Sequence, residues 1–209
     1  MRFVLVWLSM VTSFIGICAC SQSPAVETAE TAASKTEAQD EEIWQVIYLN
    51  NQRIGYAYTR TRVEDQSGVS VIRNQSDSYL RFKRFGQVLN LETHLQTTEN
   101  ATGDLLSYTY QMKNPPADST VSKGEIEEGL LKIETKIANQ TNRSQLKWEA
   151  AFHSPGYLEN VFKKSAMTPG EKKSFSMLLP EYNKITEVNL SALGYEEVEL
   201  RGGSRQKCL

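Results

Sequence analysis

From Ile43 onward hydrophobic and polar residues alternate along most of the chain, which is the period of a strand whose successive side chains point to opposite faces. Runs rich in Val, Ile, Tyr, Thr and Phe, separated by turn residues, predict strands at 43–49, 53–63, 69–82, 88–98, 105–111, 120–126, 130–138, 144–148, 174–179, 185–193 and 196–200. The split is cleanest between Val88 and Thr98. There Leu89, Leu91, Thr93, Leu95 and Thr97 share one face, and Asn90, Glu92, His94 and Gln96 share the other. One dry and one wet side is the pattern of an antiparallel sheet. Asn50-Asn51-Gln52, Asp65-Gln66-Ser67-Gly68 and Phe85-Gly86-Gln87 read as hairpin links. The predicted fold is mainly β, a curved antiparallel meander.

The spacing changes once. Ser154-Pro155 is a cap followed by a proline start, Tyr157, Leu158, Val161 and Phe162 recur at helical spacing, and Lys163 and Lys164 complement a helix C-terminus. This predicts one short helix packed on the concave side of the sheet, with those four residues as a candidate apolar ligand face. Met167-Thr168-Pro169-Gly170-Glu171 ends it.

Ahead of the sheet the pattern is different again. Arg2 is followed by an apolar run from Phe3 to Ile17, about 15 residues and short of the roughly 20 that span a bilayer, which is the shape of a cleaved signal peptide. Ile17-Cys18-Ala19-Cys20 resembles the lipobox of bacterial lipoproteins, with Cys20 as the residue that is acylated. Several acyl chains on one residue give stable attachment to a membrane. Ser21 after the cysteine resembles the sorting signal for an outer membrane anchor facing the periplasm. The expected organisation is a signal peptide at 1–19, lipidated Cys20 and a disordered acidic linker at 20–42, and a β-rich globular domain at 43–209.

Charge sharpens this division. Residues 21–42 carry six acids against Lys35 alone and hold almost nothing apolar, so they read as a tether with a reach of about 25 Å. Residues 43–209 hold 21 Lys or Arg and 19 Asp or Glu, a scattered balance that excludes nucleic acid as a partner. Arg81, Lys83 and Arg84, around Phe82 and Phe85, read as a solvated strand end. The sequons at Asn74, Asn100, Asn139, Asn142 and Asn189 read as turn and surface chemistry.

Catalytic and metal chemistry find little support. With Cys18 in the leader and Cys20 acylated, only Cys208 remains, in a tail expected to fray, so neither a disulfide nor a Cys-His pair with His94 or His153 is expected. Neither histidine has a partner at ligand spacing, and no metal or cofactor is implied.

Several segments together resemble the amino-terminal β-domain of bacterial, planctomycete-type transglutaminase-like proteins. They are Trp44 with Ile54-Gly55-Tyr56, the turn from Glu99 to Leu106, Thr168-Pro169-Gly170-Glu171, and Glu196 to Gly202, spanning residues 44–202. The resemblance implies a non-enzymatic accessory domain, because the Cys-His-Asp module that follows it in that family is not in this chain. The ending at Arg205-Gln206-Lys207-Cys208-Leu209 is therefore expected to be that of a shortened reading frame. A curved sheet around one helix also resembles periplasmic carriers of lipids or lipoproteins, which implies an acyl ligand under Tyr157 to Phe162. A protein partner presented with the sheet is the remaining expectation.

Overall fold

The computed structural model describes residues 40–50, 52–66, 68–115, 119–158, 167–199 and 203–208. Its main body is a sheet of eight strands in sequence order, each antiparallel to the next: β1 (Glu41–Leu49), β2 (Gln52–Gln66), β3 (Val69–Arg84), β4 (Gln87–Asn100), β5 (Leu105–Lys113), β6 (Thr120–Glu127), β7 (Leu130–Ile137) and β8 (Gln140–Lys147). The predicted meander is present. β1 and β8 do not pair with each other, so the sheet is open. Tight turns drive the order: Phe85-Gly86 and Glu128-Gly129 both have positive φ at their two central positions, the turn whose twist matches the flanking strands.

Pairing places the predicted dry and wet residues on opposite faces. On the dry face Leu105, Tyr108, Tyr110, Leu131, Ile133 and Leu178 form the buried core, joined by Leu95, Met112, Ile126, Leu146, Trp148 and Ile185. Leu178 and Ile185 belong to a second layer built from β9 (Phe152–His153), β10 (Lys172–Leu179) and β11 (Lys184–Ser191) in the order β11-β10-β9. The sequence reading placed a short helix on the dry face; over β5–β7 a strand hairpin also packs there. Tyr157 and Leu158 are helical; Val161 and Phe162 lie outside the described residues.

The two layers are locked by one side chain. Asn183, in the turn between β10 and β11, accepts hydrogen bonds from Ser122 Oγ (2.7 Å) and Tyr108 Oη (3.1 Å) and donates to Thr135 Oγ1 (2.9 Å). Gly124 makes room for the Tyr108 ring, because a Cβ there would stand 2.1 Å from it. Burial pushes the neighbouring Tyr110 phenol up to about 12, as expected for a hydroxyl in an apolar core.

Two further differences concern the ends. β1 starts at Glu41, inside the expected linker, and Asp40 is held by Arg60 of β2. The tail expected to fray instead pairs as β13 (Arg205–Cys208) with β12 (Glu196–Glu199), Cys208 opposite Glu196. Backbone pairing holds a strand that its polar side chains do not announce.

Candidate functional site

Hairpin register assembles the most distinctive surface of the molecule on the wet face. Gln66 pairs with Val69 at the end of the β2–β3 hairpin, which sets Tyr56 opposite Tyr79 and Tyr58 opposite Asp77. The two-residue turn at Phe85-Gly86 pairs Arg84 with Gln87, which sets Asp77 opposite His94 and Tyr79 opposite Glu92. On β5, Gln111 lies opposite His94 and Lys113 opposite Glu92. Aromatic and ionisable side chains therefore interleave on one face across adjacent strands.

Gly55 permits this arrangement. A Cβ at Gly55 would lie 2.0 Å from the Tyr79 carbonyl oxygen, so any side chain would force β2 away from β3. With glycine there, the rings of Tyr56 and Tyr79 sit 5.9 Å apart at an interplanar angle of 27°. Trp44 extends the row on β1, with centroids 4.7 Å from Tyr58 and 6.0 Å from Tyr56. Trp44 is 68% exposed and Tyr56 40%, so the stripe is not spent on the protein's own core. Partial desolvation and a hydrogen bond with the Glu42 carboxylate push the Tyr58 phenol up.

Polar groups beside the rings are fixed. Asp77 accepts hydrogen bonds from His94 Nδ1 and from Gln75 Nε2 (2.7 Å). Because a carboxylate only accepts, Nδ1 of His94 is the donor to Asp77. Lys113 Nζ stands 3.9 Å from Glu92. Tyr56, Asp77, Tyr79, Glu92, His94 and Gln111 line a groove of about 670 Å³.

A second groove on the same face, about 320 Å³, contains Arg60, Arg62, Glu64 and Arg73. Its charges are matched: Arg60 pairs with Asp40 and Glu42, and Arg73 Nε lies 2.6 Å from Glu64. The Arg60 hydrogen bond holds the Asp40 carboxyl down at about 2. Neutralised in this way, these arginines do not present the free positive field a polyanion needs.

The dry face carries a different polar cluster. Thr61 Oγ1 donates to Asn74 (2.8 Å), Asn74 Nδ2 to Thr97 Oγ1 (3.3 Å), and Thr97 Oγ1 to Glu99 Oε1 (3.1 Å). Glu99 is fully buried; its Oε2 and Ser154 Oγ have no partner at hydrogen-bond geometry. Burial pushes the Glu99 carboxyl above the usual range, against the lowering influence of Ser154, Thr97 and Asn74. Asn74, read as turn or surface chemistry in the sequence, belongs to this half-buried network.

Residues expected from the sequence divide between the layers. Tyr157 stacks on His153, centroids 3.6 Å apart and nearly parallel, and meets Phe175 edge-on at 5.0 Å. Leu158 is half-buried, while Val161, Phe162 and Cys20 lie outside the described residues. The two histidines are not brought together, and among the described residues no His, Cys, Asp or Glu cluster is arranged to hold a metal ion. Sequence reading named Tyr56 only as part of the Ile54-Gly55-Tyr56 segment and passed over Asp77 and Tyr79. The signal was in the turns, since a two-residue hairpin at Phe85-Gly86 by itself dictates that Asp77 faces His94.

Comparison with known proteins finds no matching family model, curated protein or solved structure.

Proposed function

We propose that this chain is an exported, lipid-anchored, non-catalytic binding domain that meets its target through the wet face of the eight-stranded sheet. The observation that carries the reading is the row of exposed Trp44 and Tyr56 with half-buried Tyr79, beside the fixed Asp77–His94 pair, on the face that the second layer leaves uncovered. Exposed aromatic rings next to oriented polar groups are the composition of recognition surfaces. Anchorage through Cys20 at the outer membrane, with the acidic segment as a tether, would hold that face in the periplasm. An accessory role, as in the amino-terminal β-domain of transglutaminase-like proteins, fits a face that meets a partner through exposed rings and oriented polar groups. The acyl-carrier alternative draws less support, because Tyr157 stacks on His153 and meets Phe175 edge-on, so part of its ring is already taken up by the protein.

Two measurements test this. Mass spectrometry of the native protein should find an acylated peptide beginning at Cys20; an intact leader or an unmodified start further on removes the anchor. A photo-crosslinking residue placed at Tyr56 in living cells should give a discrete adduct, and one at Glu187, exposed on β11 in the other layer, should not. Equal labelling at both positions, or none at Tyr56, refutes the assignment of the wet face.

A further inference from the structure

The two open edges of the eight-stranded sheet are built differently. Among the described residues β1 pairs with β2 alone and β8 with β7 alone, so each presents a row of backbone amides and carbonyls to a strand that comes alongside. β8 is protected. Its sequence, Gln140–Lys147, is polar at every position except Leu146 and includes Arg143 and Lys147, which an incoming strand would have to face. β1 has no such protection between Ile43 and Leu49, where no residue is charged and none is proline or glycine. Trp44, Val46 and Tyr48 stand at alternate positions on its wet face and are 68%, 50% and 57% exposed. Ile43, Ile47 and Leu49 on the other face are only half-buried. The Tyr56–Tyr79 groove is lined by neither Val46 nor Tyr48, so it does not account for their exposure.

A strand that fits this edge is β1 itself, reversed. Pairing two copies about a two-fold axis through Gln45 overlaps all nine residues of the strand, the longest overlap the edge allows. It sets Trp44 against Val46, Ile43 against Ile47, Glu42 against Tyr48 and Glu41 against Leu49 of the second copy. Aromatic and β-branched residues opposite one another are favourable cross-strand pairs, and no two charges of like sign meet. Parallel pairing in register would instead stack Asp40, Glu41 and Glu42 on their own copies, next to the acids of the segment that precedes them. Antiparallel pairing sends those ends apart, by about 30 Å at roughly 3.4 Å per residue. A foreign strand would have to bring uncharged, alternating apolar residues of its own, whereas a second copy supplies them by symmetry. One strand edge buries less surface than a permanent dimer needs, so paired and separate chains are in equilibrium, and β1 of a separate chain keeps the behaviour of an edge. The axis stands perpendicular to the sheet, so both wet faces open to the same side, and the pairing is compatible with whatever that face binds. We propose that this protein forms a reversible two-fold dimer in which the β1 strands of two copies pair antiparallel about Gln45 and join the two eight-stranded sheets into one.

The test is disulfide trapping of the full-length chain in intact cells under added oxidant, with Cys208→Ser throughout and the chain without a strand cysteine as the blank. Opposed residues of an antiparallel pair have Cα atoms about 4.5–5.5 Å apart, within disulfide range, while diagonal neighbours at about 7–8 Å lie beyond it. Gln45→Cys, at an exposed position, should therefore give a dimer well above the blank, and Trp44→Cys and Val46→Cys much less. Glu42→Cys and Tyr48→Cys should each fail alone and cross-link when the two chains are co-expressed. Ser144→Cys, in the middle of β8, should give no more than the blank. Adding Val46→Lys to the Gln45→Cys chain sets two ammonium groups diagonally across the axis at exposed positions, and should lower the dimer yield roughly fivefold or more. No dimer from Gln45→Cys, an equal yield from Ser144→Cys, a yield that peaks at Trp44 or Val46, or a disulfide to a different protein in place of the dimer overturns the proposal.

Discussion

Single side chains decide how this sheet is filled, and Glu99 is the sharpest case. It sits at the end of a threonine and asparagine row where the neighbouring positions are uncharged, with Ser154 and Gly156 brought against it from the other layer; a Cβ on Gly156 would lie 3.2 Å from Glu99 Oε1. Burial favours the neutral carboxyl, so the folded chain binds this proton more tightly than the unfolded chain does. The contribution of Glu99 to stability is then fully present below the ordinary glutamate range and lost as pH rises through its folded-state value. Asp40, held down at about 2, works in the opposite sense: its contribution is present above the ordinary aspartate range and lost as pH falls through about 2. Chemical denaturation of wild type and Glu99→Gln across neutral to acidic pH isolates the first effect. The variant should gain relative to wild type as pH rises, and a constant difference across the range would show that folding leaves the proton affinity of the Glu99 carboxyl unchanged.

At the level of elements, the hairpin of β10 and β11 docks through a polar key set in an apolar surround. Asn183 has φ of 51°, a left-handed conformation that asparagine accepts more readily than alanine. Asn183→Ala removes the partner of Tyr108 and Ser122 in a buried setting and strains the turn, so it should cost about 2–4 kcal/mol by thermal or urea unfolding. Asn183→Gly loses the same bonds but suits the backbone, and should cost about 1 kcal/mol less. Equal losses would mean that the turn carries no strain. This contact shows where the sequence was legible and where it was not. Strands with strict alternation, such as β4, declared themselves and their faces, because period two needs no knowledge of neighbours. β9 is two residues long and pairs in parallel with β10, and β13 is Arg-Gln-Lys-Cys. Neither has a pattern of its own, and tertiary pairing alone makes them strands. The candidate groove was hidden for a related reason: Tyr56, Asp77 and His94 are far apart in sequence, and only the turn registers align them. Counting outward from Phe85-Gly86 would have revealed the Asp77–His94 pair, whereas the second layer over β5–β7 could not have been counted from any turn.

Across the whole molecule the apolar core and the candidate groove lie in different places, and that separation has a measurable consequence. Large buried apolar side chains concentrate on β5, β7 and β10, where Leu131 and Leu178 have no exposed surface. On β2 and β4 the fully covered positions are instead Thr59, Thr97 and Glu99, which contribute hydrogen bonds rather than buried apolar area. β1 is an edge strand with Trp44, Val46 and Tyr48 exposed. Local opening should therefore begin at β1 and reach β2 before it reaches the core, since segments with little apolar burial open at a fraction of the global free energy. Amide hydrogen exchange read by mass spectrometry should show the slowest exchange in Leu105–Lys113, Leu130–Ile137 and Lys172–Leu179, and the fastest among the strands of the main sheet in Glu41–Leu49. Uniform protection of every strand would indicate instead that the sheet opens as one cooperative body, with the groove as rigid as the core beneath β10.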